Sequence, residues 1–159
     1  MPRADGAPAG VGGPAVIGVP LILQIALGVV FAAILVLYAR WRGPRGERVV
    51  FAIGLIITAL LYVGFALAGG ASIGWLALEI LGVLLYSLFV WLGLRASPVW
   101  LAVGWAAHVG WDAGLHLGTR APSFVPAFIP VFYIGFDLFV ASYIVARAYA
   151  ERTSRTQAA

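Results

Sequence analysis

Apolar residues run almost unbroken through five stretches of the chain: 20–41, 48–69, 72–95, 99–118 and 125–147. Each is close to the ~20 residues that cross the hydrocarbon core of a bilayer. Lipid offers no partner to an open backbone group, and these stretches carry no strand pattern, so all five are expected to be helices. The expected fold is therefore all-α: an integral membrane bundle of five transmembrane helices over residues 20–148. Residues 1–19 are rich in Gly, Pro and Ala and read as a flexible lead, without the basic start and cleavage site of a signal peptide. Residues 149–159 read as a polar, frayed tail. No internal repeat is evident.

Polar positions orient the bundle. Arg40, Arg42, Arg45, Arg48, Arg95, Arg147, Arg152 and Arg155 fall on one side of a five-helix chain, and only Arg3 and Arg120 fall on the other. An excess of basic residues marks the cytoplasmic side, so the N-terminus is expected outside and the C-terminus in the cytoplasm. Trp41, Trp91 and Trp100 then lie near the inner interface and Trp75 near the outer one, as an aromatic belt would place them.

Six acids exist in 159 residues, and three of them, Glu79, Asp112 and Asp137, interrupt the third, fourth and fifth apolar stretches. A charge at the bilayer centre costs at least ~2.5 kcal/mol on insertion scales, so each acid needs a partner or a wet cavity. The only two histidines, His108 and His116, flank Asp112 in WAAHVGWDAGLHLG. His108, Asp112 and His116 follow an i, i+4, i+8 spacing and are expected on one face of the fourth helix. Ala102, Ala106, Gly110, Gly114 and Gly118 form a ridge of small residues opposite, suited to close packing within the bundle or to a homodimer through Gly110, Gly114 and Gly118. Pro130 is expected inside the fifth helix, with a kink above Asp137.

Composition then removes whole classes of chemistry. With no lysine, no Schiff base can form, and with no cysteine there is no disulfide, thiolate nucleophile or cysteine-ligated cluster. The net charge of +4 sits mostly at segment ends, which membrane topology explains without nucleic acid. Two histidines eight residues apart stand roughly 12 Å apart along a straight helix, too far to ligate one ion together. His108 with Asp112 and either Glu79 or Asp137 would give N/O ligands for zinc, iron or manganese. A bis-histidine haem would need a second subunit. No cofactor is assigned from the sequence.

The reading that needs fewest assumptions is acid–base chemistry. A carboxyl in an apolar pocket can stay protonated and donate, and a histidine paired to a carboxylate can accept. Asp112 with His108 is the expected acid–base pair, with Glu79 or Asp137 as second acid and His116 beside them. Trp105 and Trp111 are the expected aromatic walls, with Trp75, Tyr133 and Tyr62 also placed against substrate. Gln24 and Tyr86 are further candidates for the same pocket. Aromatic faces can stabilise a developing cation, which suits isomerisation or cyclisation of an isoprenoid or other lipophilic compound. Two alternatives stand beside this one: a metal- or haem-binding redox protein, and a transporter or accessory subunit of a membrane complex. The lack of repeats weighs against a secondary transporter.

GWLALE at 74–79, WLGLRASPVWLAVGWAAHVGWDAGLH at 91–116, PSFVP at 122–126 and GFD at 135–137 resemble a bacterial multi-pass membrane family known as domain of unknown function 6010. The likeness covers roughly the C-terminal half. It implies a small multi-pass protein and groups Trp75, Glu79, His108, Trp111, Asp112, His116 and Asp137, but it implies no activity. Trp and Glu are adjacent in that family, whereas three residues separate Trp75 from Glu79 here. A lysine-free, Ala/Gly/Arg-rich chain also suits a GC-rich bacterial genome. The expected location is the bacterial cytoplasmic membrane, with the bilayer and a lipophilic small molecule as partners.

Overall fold

A computed structural model describes residues 19–117 and 124–157. The lead at 1–18, Gly118 and Arg120, on which expectations rested above, lie outside the described residues. Five α-helices account for nearly all of what is described: α1 Leu21–Trp41, α2 Gly43–Ala68, α3 Ile73–Arg95, α4 Val99–Trp111 and α5 Phe128–Gln157. One turn of π-helix, Asp112–His116, extends α4. Four of the five, all but α4, are long and apolar enough to cross a membrane. The chain is a multi-pass, helical membrane protein on that ground. The fourth apolar stretch, 99–118, is split: its α-helical part is 13 residues and its end is the π turn.

The helices form a closed ring. Each packs on the next, and α5 closes the ring on α1. That last seam is the tightest. A Cβ added at Gly135 would collide with the carbonyl oxygen of Ile25, and one added at Gly28 would collide with that of Phe132. Only glycine allows backbones to approach so closely. The predicted small-residue ridge on α4 does not do this. Ala102 is buried, but Ala106, Gly110 and Gly114 are exposed, and a Cβ at Gly110 or Gly114 would meet nothing within 4 Å. The polar face of α4 points inward, so its opposite, small-residue face points out.

Helix ends depart from expectation in three places, each for a local reason. Between α1 and α2 the chain reverses almost at once. Gly43 supplies the left-handed conformation (φ 74°) and Pro44 suits the first turn. Consequently α2 starts at Gly43 rather than 48, and Glu47, which lies between the first two apolar stretches, is buried on its inner face. There it lies 3.8 Å from Arg147 on α5. Pro130 falls in the first turn of α5, where amide groups have no intrahelical acceptor in any case, so it calls for no kink. At its other end α5 runs to Gln157, taking in most of the expected polar tail.

Candidate functional site

Inside the ring, the apolar interior gives way to a polar cluster. Toward the arginine-rich end the core holds Leu55, Leu101, Trp105 and Val140, all fully buried. Above it stand His108, Asp112, His116, Glu79 and Asp137, none more than 3% exposed. All five ionisable residues singled out from the sequence are therefore inside the bundle, brought in by α3, α4 with its π turn, and α5. They divide into two groups.

The first group is His108, Asp112 and Asp137. Nδ1 of His108 lies 2.7 Å from Oδ2 of Asp137 and 3.5 Å from Oδ2 of Asp112. The closer partner of His108 is thus on α5, not the Asp112 expected from spacing on α4. One ligand atom from each of the three residues falls within 4.8 Å of the others. Both oxygens of Asp112, Oδ1 of Asp137 and Nε2 of His108 are buried without a well-formed hydrogen bond, and the Tyr62 hydroxyl is the neighbouring donor to Asp112. Three tyrosine rings surround the imidazole, with Tyr86, Tyr62 and Tyr133 at centroid distances of 5.1, 5.6 and 5.7 Å.

The second group is built around Glu79. Its Oε1 lies 3.2 Å from Nε2 of His116, and its Oε2 accepts a hydrogen bond of 3.2 Å from Nε1 of Trp111. The π turn is what permits this. A continued α-helix would leave His116 on the His108–Asp112 ridge. Widening the turn between 112 and 116 instead directs its ring to α3. Tyr62 links the groups, stacking on His116 at 4.4 Å while meeting His108 edge-on. Trp75 lies 6.2 Å from the His116 ring, so it belongs to the cluster as well as to its end of α3.

Two expected members are elsewhere. Trp105 is fully buried, but its indole packs on Gly54 of α2 and lies 5.6 Å from Phe136. It is part of the apolar core rather than a wall of the cluster. Gln24 donates to the carbonyl of Val19 at the start of its own helix. Gly82 was not singled out from sequence, yet a Cβ there would come 2.9 Å from Cζ2 of Trp111, so its bare backbone seats the indole that holds Glu79. The spacing of Gly82 three residues after Glu79 was the available signal.

Removing the indole N–H tests this seat. Trp111→Phe keeps most of the apolar volume but strips Glu79 of its donor. The thermal midpoint in detergent is expected to fall, by the equivalent of about 1–3 kcal/mol for a buried acceptor left unpaired. An unchanged midpoint would show that Trp111 does not hold Glu79.

Cavities at the arginine-rich end and along the outer helix faces are lined by residues outside the cluster. No protein-family model, curated protein or solved structure matches this chain.

Proposed function

We propose that the chain is a membrane protein whose buried His108, Asp112 and Asp137 hold a divalent transition-metal ion, with the His116–Glu79 pair handling protons beside it. The observation that carries this is Asp112. It is fully buried, and the donors beside it, Nδ1 of His108 at 3.5 Å and the neutral hydroxyl of Tyr62, leave its charge unmatched. Asp137 is equally buried, and among the described residues one histidine is the only basic side chain paired with the two acids. Two buried carboxylates without matching positive charge are costly. A divalent cation supplies that charge and occupies the point toward which the three ligand atoms converge. One imidazole nitrogen and two carboxylate oxygens suit zinc, manganese or iron, and three protein ligands leave a coordination position open for chemistry.

In this reading the bound ion supplies a Lewis acid, and Glu79 with His116 supplies the proton donor or acceptor. Tyr62, in contact with both histidine rings, lies between the two groups. The substrate class remains a lipophilic compound changed by proton transfer, because the groups lie within apolar helices. The arginine distribution supports an N-out, C-in arrangement, and composition with the motif likeness supports a bacterial cytoplasmic membrane. In that arrangement the α4–π segment would cross as the fourth of five spans.

Elemental analysis and an optical spectrum of the purified protein test the proposal. About one zinc, manganese or iron per chain is expected, removable by chelation and restored by adding the ion. A chain that neither carries nor takes up such an ion leaves acid–base chemistry without metal as the reading. A Soret band would replace both with a haem site.

A further inference from the structure

On the outside of the ring, far from the cluster, α1 and α2 enclose a groove of about 440 Å³. Its mouth is polar and cationic, lined by Tyr38, Arg42 and Arg45, and its length is apolar, lined by Leu35, Ile53 and Ile57 among others. We propose that this groove binds one anionic phospholipid, its phosphate at Arg42 and Arg45 and one acyl chain along α2.

Three observations support that occupant. First, the charges are uncompensated: among the described residues, no acidic side chain pairs with Arg42 or Arg45, whereas Arg147 at the same end is paired twice. Second, the head-group end is built. Nη1 of Arg42 donates to the Tyr38 hydroxyl at 2.9 Å, and its guanidinium carbon lies 5.9 Å from the centre of that ring. The stem of Arg42 rests on Gly46, where a Cβ would come within 2.6 Å of it. The guanidinium is thus held at the mouth instead of ranging freely. Third, the dimensions fit. From Arg45 to Ile57 is twelve residues of helix, about 18 Å. That is close to half of the roughly 30 Å hydrocarbon core, the reach of one leaflet's chains. Arginines serving only to orient the chain need neither a held guanidinium nor an apolar groove beneath it.

Native mass spectrometry of the full chain in mild detergent tests this, with phosphatidylglycerol, phosphatidylcholine and inorganic phosphate as separate probes. One phosphatidylglycerol per chain is expected to be retained, with phosphatidylcholine bound more weakly and inorganic phosphate failing to displace the lipid. Arg42→Gln and Arg45→Gln should each weaken retention about 5-fold, and the double variant about 30-fold, from roughly 1 kcal/mol per arginine at an anionic lipid surface. Ile53→Trp, at an exposed groove position, should reduce retention with both arginines intact. All these residues lie outside the core, so metal content and helicity are expected to be unchanged, which separates this proposal from the reading of the buried cluster. Equal retention of the two lipids, displacement by phosphate alone, or double-variant retention equal to wild type would each overturn it.

Discussion

Asp112→Asn is expected to abolish stoichiometric metal binding and, at the same time, to make the metal-free protein more stable. The two effects have one cause. Asp112 is buried beside a histidine shared with Asp137 and a neutral tyrosine hydroxyl, so in the absence of a cation its charge is a burden. The amide is neutral and relieves that burden, but it is a poorer ligand for a hard cation. Loss of affinity should exceed the 10–100-fold typical of changes to groups that merely support a ligand. Thermal unfolding with and without chelator reads the result. Wild type should lead when loaded and the variant should lead when stripped. If Asp112 were only structural glue, the variant would be the less stable in both conditions. That outcome, with no metal in wild type, would sink the metal proposal.

A second large effect is expected from a glycine at the α1–α5 seam. Gly135→Leu places side-chain atoms where the Ile25 carbonyl stands. Overpacking in a core costs typically about 1–3 kcal/mol, and here the opposing atoms are backbone, which cannot swing aside. The α1–α5 seam must open, and Asp137, two residues along α5, moves with it. Both the thermal midpoint and the metal content should fall. Gly110→Leu is the matched control: its added atoms meet open space, so stability should stay within about 0.5 kcal/mol. Equal losses from the two variants would mean that the tight seam is elsewhere.

These contrasts show what periodicity can and cannot deliver. The long apolar runs announced helices, because nothing else hides a backbone in lipid. The scarcity of acids announced the cluster, because Glu79, Asp112 and Asp137 have few tolerable places except one another's company. Partners within the cluster were not legible. Spacing on one helix pairs Asp112 with both histidines, but His108 is closer to Asp137 and His116 lies against Glu79. The π turn decides the second of these, and no residue in DAGLH advertises it. The glycine pattern was no better a guide to close packing inside the bundle. Gly110 and Gly114 form the regular ridge yet face outward, while Gly28 and Gly135, isolated in sequence, make the close approach. A close approach depends on which helices become neighbours, and the order of helices along the chain does not reveal that the first lies against the last.

That closure has a consequence for how the protein is made. Helices emerge from the ribosome in order, and N-terminal parts settle first. The ring cannot close until α5 arrives, and Asp137 is on α5. His108 and Asp112 are therefore synthesised without their third companion, and α1 waits through the production of three further helices for its tightest neighbour. A nascent chain halted before Phe128 has His108 and Asp112 without Asp137, and an open seam. Assembly of the buried cluster therefore waits for α5, the last of the described helices to be made.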